Sequence, residues 1–318
     1  MKIVVLDGHA LNPGDLSWDA IAALGELRVY DITLPDQVIG RIGDAEVVFT
    51  NKVNITREVM EACPGMKCVI VTATGYNMVD IAAAREKGVT VCNAPGYSTG
   101  AVAQMAMGFL LETAIHIGEH NRAVHAGRWA ECGDFCFWDY PVVELEGKTL
   151  GIFGCGSIGR RVARLANAFG MRVLGYSRNA VPGTAEDGIT FVGKDELFAK
   201  SEYLTFHCPL NQESQGIICR ETIEKLPQGA VVINTARGGL TVEADVAEAL
   251  RSGRLGAYCT DAAAVEPLPA DSPLLGAPNC IITPHIGWAS LEARGRLMDI
   301  NAANLRAYLA GAPINVVS

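Results

Sequence analysis

The chain has 318 residues, 49% of them apolar and 19% charged, with a formal net charge of −9. That length allows two domains with separate cores, and the acidic balance argues against nucleic acid or an anionic membrane as a partner. No apolar run approaches the roughly 18 residues of a membrane span, so none is expected.

The ten cysteines suggest metal or disulfides until their spacing is read. Cys63, Cys68, Cys92, Cys155, Cys208, Cys219, Cys259 and Cys280 are scattered in or beside apolar runs, and Cys132 and Cys136 form no CxxC pair. Small buried thiols in a reducing cytoplasm are the expectation, with no metal site. Met1-Lys-Ile-Val-Val-Leu-Asp7 reads as a first strand and not a signal peptide, because its short apolar run ends in an acid.

From there short strands alternate with helices. Strands are expected at Lys2–Leu6, Arg28–Tyr30, Val47–Thr50, Cys68–Val71 and Thr90–Asn93, with helices such as Trp18–Leu24 and Thr56–Ala62 between them. This is the pattern of a small doubly wound parallel sheet. After the fourth strand comes Thr72-Ala-Thr-Gly-Tyr-Asn77, where ligands of open α/β sheets bind. Its backbone amides suit a substrate carboxylate, although a plain strand-to-helix connection fits equally. Thr99 to Glu119 reads as one long, nearly uncharged buried helix. His116 and His120 lie four apart on it, a metal-compatible spacing without a third ligand nearby. The segment Arg122 to Gly147 is rich in aromatics (Trp129, Phe135, Phe137, Trp138 and Tyr140), and a subunit interface is the preferred reading, an internal apolar patch the other.

Thr149 to Phe153 reads as a buried strand, Gly154-x-Gly156-x-x-Gly159 as a turn, the following residues as a helix, and Met171 to Tyr176 as a second strand. In that β-α-β context Gly154 permits the tight turn, Gly156 lets the backbone approach a pyrophosphate, and Gly159 lets the helix pack on the strand. Amides at the start of the helix, at Ser157 and Ile158, face the anion. About twenty residues on, an acid is expected on the adenosine ribose, but Ser177 and Arg178 stand there. No carboxylate opposes a 2′-phosphate and a guanidinium can pair with it, which favours NADP(H) over NAD(H). Ser177 can still bond a free ribose hydroxyl, and Arg178 can point to solvent.

Strands then recur at Tyr203–Cys208, Ala230–Asn234, Gly256–Thr260 and Cys280–Thr283, before a last helix at Ser290 to Ala310. Polar residues follow each strand: His207-Cys208-Pro209, Thr235-Ala236-Arg237, Asp261, and Pro284-His285-Ile286-Gly287-Trp288.

With Gly154-x-Gly-x-x-Gly159, Asn234-Thr-Ala-Arg-Gly238, Val265-Glu-Pro-Leu268 and Thr283-Pro-His-Ile-Gly-Trp288 in this order, the chain resembles the D-isomer-specific 2-hydroxyacid dehydrogenases over essentially its whole length. The Trp288-Ala-Ser290 continuation and the aromatic segment look most similar to the glycerate dehydrogenase or hydroxypyruvate/glyoxylate reductase branch. Ser177 departs from the acid of NAD-preferring members.

The resemblance implies two doubly wound parallel-sheet domains. A flavodoxin-like substrate domain would comprise residues 1–98 and 287–318, and a Rossmann-type cofactor domain residues 99–286, with a dimerisation loop at about 121–148. It implies a homodimer, with Trp138 placed like a tryptophan that reaches the neighbouring active site. It implies Arg237 on the substrate carboxylate, Glu266 as orienting acid and His285 as acid/base. Cofactor contacts would come from Gly154, Gly156, Ser157, Ile158, Gly159, Ser177, Arg178, Cys208, Pro209, Thr235, Ala236, Arg237, Asp261, His285 and Gly287. Substrate contacts would come from Ala73, Thr74, Gly75, Tyr76, Arg237, His285 and Trp288. The chemistry fits those residue types: arginine offers a planar fork for a carboxylate, and histidine can give a proton near neutral pH.

Small 2-oxo acids, hydroxypyruvate or glyoxylate, are the favoured substrates, with D-lactate as the alternative. Phosphoglycerate is less favoured, because the sequence ends at Ser318 with no regulatory domain. A corepressor-like NAD(H) sensor is the competing class.

Overall fold

The computed structural model describes residues 1–318. The chain divides into two compact units, Met1–Ser98 with Ala289–Ser318, and Thr99–Trp288. The reading from sequence put the second division two residues earlier.

The first unit runs β1 (Lys2–Val5), α1 (Asp19–Ala22), β2 (Glu26–Val29), α2 (Val38–Ile42), β3 (Val47–Thr50), α3 (Arg57–Ala62), β4 (Cys68–Val71), α4 (Ile81–Glu86) and β5 (Thr90–Cys92). The five strands form a parallel sheet in the order β2-β1-β3-β4-β5. β3 and β4 are buried throughout, as unbroken apolar runs between two covered faces should be. Thr56 and Asp80 accept from the Val59 and Ala83 amides and so start α3 and α4.

The second unit opens with α5 (Thr99–Ile115) and α6 (Ile117–His125), two helices bent by 57° where a single helix was expected. His116 takes a left-handed φ of 50° at the break and stacks on Tyr140, with ring centroids 4.9 Å apart. The Glu112 carboxylate accepts from the Gly118 amide at 3.0 Å and caps the new helix. The pair His116 and His120 is thus engaged in aromatic packing and a contact from His120 Nδ1 to the His116 carbonyl at 2.9 Å. No single helix is long and apolar enough to cross a membrane.

There follow β6 (Thr149–Phe153), α7 (Ser157–Ala168), β7 (Arg172–Tyr176), β8 (Ala185–Glu186), β9 (Ile189–Phe191), α8 (Lys194–Lys200), β10 (Tyr203–Phe206), α9 (Arg220–Ile223), β11 (Ala230–Asn234), α10 (Glu243–Arg251), β12 (Leu255–Thr260) and β13 (Cys280–Ile282). The sheet order is β13-β12-β11-β10-β6-β7-β9-β8, parallel except for β8. Apolar clusters cover both faces. Leu150, Ile152 and Ile233 pack with α5 and α7 on one, and Leu204, Phe206 and Tyr258 with Leu197 and Val246 on the other.

The last helix, α11 (Leu291–Leu309), belongs to the first unit. Ser290 caps it, and Ala302 and Leu305 pack on Ile3, Phe49 and Ile70. The tail then pairs with β5, the Val317 amide donating to the Val91 carbonyl at 2.8 Å.

Candidate active site

Because seven strands of the larger sheet are parallel, the residues following β6, β7, β10, β11, β12 and β13 gather at one edge. At β6, Gly154 has φ 102°, and a Cβ there would lie 2.7 Å from both the His207 carbonyl carbon and the Cys208 amide. A Cβ on Gly159 would overlap the Gly154 carbonyl oxygen, whereas one on Gly156 would meet nothing within 4 Å. Two glycines are therefore required by the protein's own packing, and the third faces open space. No side chain caps the start of α7, so the amides of Ser157, Ile158 and Gly159 remain available to an anion. These features fit the pyrophosphate of a dinucleotide.

Beside Ser177 lies a cavity of about 300 Å³ lined by Cys155, Arg160, Asn179, Val181 and Glu186 among others. Ser177 stands in the position of the expected acid, but a carboxylate lines the same cavity. Glu186 reaches the cavity from the β8–β9 hairpin, which the sequence pattern did not reveal, and Arg160 binds it at 2.8 Å and Asp187 at 3.0 Å. Arg178 is exposed and 3.8 Å from Glu213. Burial pushes the Cys155 and Cys208 thiols up to about 11 each, so both stay protonated at neutral pH.

After β10, His207 contacts the Thr205 hydroxyl through Nε2 at 3.0 Å and the Thr235 hydroxyl through Nδ1 at 3.4 Å. Burial lowers its pKa to about 3, which keeps it neutral. After β11, Asn234 shapes the turn: its amide donates to the Arg237 carbonyl at 2.9 Å, and its oxygen accepts from the Ala236 amide at 3.0 Å. A Cβ on Gly238 would overlap the Ala263 carbonyl, so only glycine lets this turn pack under the loop that carries Glu266. Arg237 itself is exposed, with one guanidinium nitrogen donating to the Ala236 carbonyl at 2.7 Å.

His285 follows β13, and its Nδ1 lies 2.8 and 2.9 Å from the two Glu266 oxygens. Glu266 also accepts from the Ala263 amide at 3.2 Å. The loop is anchored further by Glu243, which accepts from the Ala264 amide at 3.1 Å and the Ser272 hydroxyl at 2.9 Å. With Nδ1 directed at a carboxylate, Nε2 is the nitrogen left for a reacting group. Asp261 is buried and accepts from Thr283, Ile286 and Gly287. Pro209 and Trp288 lie on this edge too, after β10 and β13. His207, Glu243, Arg160 and Glu186 went unassigned in the sequence. Arg160 directly follows the glycine fingerprint and His207 the strand before Cys208, positions that signal proximity, whereas nothing local marks Glu243 or Glu186.

In the first unit, the turn after β4 is braced by its own neighbours. Asn93 donates to the Thr74 carbonyl at 2.8 Å, the Thr74 hydroxyl to the Ala94 carbonyl at 2.8 Å, and Asn304 to the Asn93 carbonyl at 2.9 Å. The Ala73 carbonyl accepts from the Ala94 amide at 3.0 Å, while Gly75 and Tyr76 form the outer part of the turn.

The chain matches a model of the NAD binding domain of D-isomer specific 2-hydroxyacid dehydrogenases over residues 107–287. It is 50% identical to a hydroxypyruvate reductase of Blautia hydrogenotrophica, covering 100% of both chains. It is 35% identical to a glycerate dehydrogenase of Methylorubrum extorquens over 99% of this chain and 98% of that one. Among solved structures, the TT0316 protein from Thermus thermophilus superposes with a TM-score of 0.87 at 33% identity over the whole of both chains.

Proposed function

For a chain that belongs to the D-isomer specific 2-hydroxyacid dehydrogenase family, and is thus an oxidoreductase acting on CH–OH donors with an NAD-binding domain, we propose that the reaction is reduction of hydroxypyruvate or glyoxylate to the 2-hydroxy acid. The observation that carries this reading is the His285–Glu266 pair at the carboxyl edge of the cofactor-binding sheet. The similarity to a hydroxypyruvate reductase along the full chain supports the choice of substrate.

In this reading Arg237 turns its guanidinium from the Ala236 carbonyl to the substrate carboxylate, as a two-pronged donor. We also assign the amides of the Ala73–Tyr76 turn, Thr74 and Gly75 included, to a substrate carboxylate, and Trp288 to a border of the substrate. The nicotinamide, when bound, supplies the hydride. His285 Nε2 delivers the proton to the carbonyl oxygen, and Glu266 holds the Nδ1 proton and stabilises the ring while it is cationic. In the oxidative direction His285 accepts that proton. The amides of Ser157 and Ile158 hold the pyrophosphate beside Gly156, with Cys208, Pro209, Thr235 and Ala236 lining the remaining cofactor path.

We assign NADP(H) as the preferred cofactor because Ser177 replaces an acid and Arg178 is exposed beside it. Glu186 works against that preference unless Arg160 keeps its carboxylate occupied. We further assign a homodimer built on the aromatic segment, with Trp138 directed at the partner's substrate. Ten unpaired cysteines favour a reducing cytoplasm.

Initial rates with hydroxypyruvate, glyoxylate and pyruvate, each with NADH and NADPH, test the assignment. The first two acids should lead, and Arg178→Ala should lower kcat/KM for NADPH roughly tenfold more than for NADH, the loss of a charge-assisted contact. Pyruvate leading would give the chain to the D-lactate chemistry. An equal loss with both cofactors would remove Arg178 from phosphate recognition.

A further inference from the structure

We infer that Asp261 is a positioning residue for His285: its carboxylate clamps the turn that carries the imidazole, a role distinct from any contact with the cofactor. This rests on the reading of His285 as the acid/base. Asp261 is 3% exposed, and its carboxylate collects donors from both sides of the histidine. Oδ1 accepts from the Thr283 hydroxyl at 2.6 Å and the Ile286 amide at 2.8 Å, and Oδ2 accepts from the Gly287 amide at 2.7 Å. A carboxylate offers about four acceptor sites, so most of its capacity is committed to this one turn.

The turn needs such a clamp. His285 has φ 56°, in the left-handed region that residues with a side chain rarely hold unaided. Its amide donates back to the Thr283 carbonyl at 2.9 Å, a tight closure around Pro284. Asp261 is itself rooted in the sheet, its amide donating to the Asn234 carbonyl at 3.1 Å, while the Thr283 amide donates to the Thr260 carbonyl at 2.9 Å. A Cβ on Gly287 would stand 2.8 Å from Asp261 Oδ2, so glycine is what lets that amide reach the acid. Glu266 then fixes the direction of the ring, and Asp261 fixes the backbone from which it projects.

The clamp depends on a group that only accepts. In Asp261→Asn one oxygen becomes an NH2 donor and faces an amide or hydroxyl that also donates, which opens the turn with little change in volume. The test uses the full chain carrying Asp261→Asn, Thr283→Val or Gly287→Ala, with His285→Gln in parallel. It reads kcat at saturating substrate and cofactor, KM, and the Kd of NADH and NADPH by fluorescence.

Misplacing the acid should lower kcat in Asp261→Asn by roughly 10- to 100-fold while cofactor Kd moves by less than about threefold. Gly287→Ala should follow the same split, and Thr283→Val, which loses one donor of three, should show it more weakly. Wild-type kcat at saturation with a Kd raised about tenfold or more would make Asp261 a cofactor contact and overturn the inference, as would wild-type values of both. Should Asp261→Asn not fold, the same split in Thr283→Val and Gly287→Ala decides. His285→Gln retaining its kcat would reject the acid/base reading itself, whatever the Asp261 variants do.

Discussion

Two irregular segments of the cofactor-binding unit make a useful contrast: the turn Thr283–Trp288 and the aromatic stretch Arg128–Val143. Around the turn, Asp261 answers three donors and Glu266 a fourth, all within one unit. The aromatic stretch has a few local ties, such as Trp129 Nε1 to the Phe135 carbonyl at 3.0 Å and the Arg128 guanidinium 4.8 Å over the Phe137 ring. Yet Phe135 remains 84% and Trp138 68% exposed, and His120, Phe137, Trp138 and Val142 line an open cleft. A segment that satisfies its own polar groups can hold a reacting atom in place without help. One that leaves large aromatics in water gains roughly 2–3 kcal/mol for each that another surface covers. The proposed chemistry falls on the first kind and the proposed association on the second.

The strongest way to break this contrast is at the turn. His285→Ala should lower kcat by about 10²- to 10⁴-fold, the range for loss of a general acid, with cofactor Kd nearly unchanged. Glu266→Gln keeps a side chain of the same size but removes the charge, and should cost roughly tenfold to a hundredfold in kcat. Stopped-flow reduction of hydroxypyruvate at saturating NADPH reads both. A Glu266→Gln enzyme as slow as His285→Ala would mean that the acid does more than orient the ring.

At the aromatic stretch the expected effect is on association and selectivity. Phe135→Glu puts a charge where an apolar contact is proposed and should shift the dimer to monomer in sedimentation at micromolar concentration. Trp138→Ala should leave the dimer intact but change the ratio of kcat/KM between hydroxypyruvate and glyoxylate, by roughly tenfold if the indole packs on the substrate. A monomeric wild type would remove the premise of both. An unchanged ratio in a dimeric Trp138→Ala would confine the indole to the interface.

How much of this was legible beforehand follows from the same physics. Val47–Thr50, Cys68–Val71, Thr149–Phe153 and Ala230–Asn234 have the bounds their apolar runs suggested, since strands buried on both faces must read that way. The break at His116 was not legible. It depends on the Glu112 side chain capturing the Gly118 amide, and no proline or glycine stands between Ile115 and Ile117 to mark the bend. The β8 strand has only two residues, both exposed, so no pattern announced the hairpin that brings Glu186 beside Ser177. His285 and Glu266 stand nineteen positions apart, and motif resemblance alone paired them. The resemblance assigns Asp261 to the cofactor, whereas its bonds to the His285 turn depend on a left-handed histidine that nothing in residue types foretells.

The smallest expected effect sharpens the contrast from the other side, through stability. His207 sits at the same sheet edge, wedged between the Thr205 and Thr235 hydroxyls, and burial lowers its pKa to about 3. The unfolded chain, with an ordinary histidine near 6.5, takes up a proton that the folded chain refuses. Stability from this group is therefore whole above pH 6.5 and falls as the pH drops from there towards 3, with a slope of at most about 1.4 kcal/mol per pH unit. Urea unfolding between pH 7.5 and 4.5 should show that decline, and His207→Gln should flatten it even if the variant starts less stable. Parallel slopes would mean that the imidazole protonates freely in the folded protein and that water reaches this edge. A flatter slope would mean that the edge is dry around His207, the condition under which a fixed carboxylate such as Glu266 acts most strongly on a neighbouring proton.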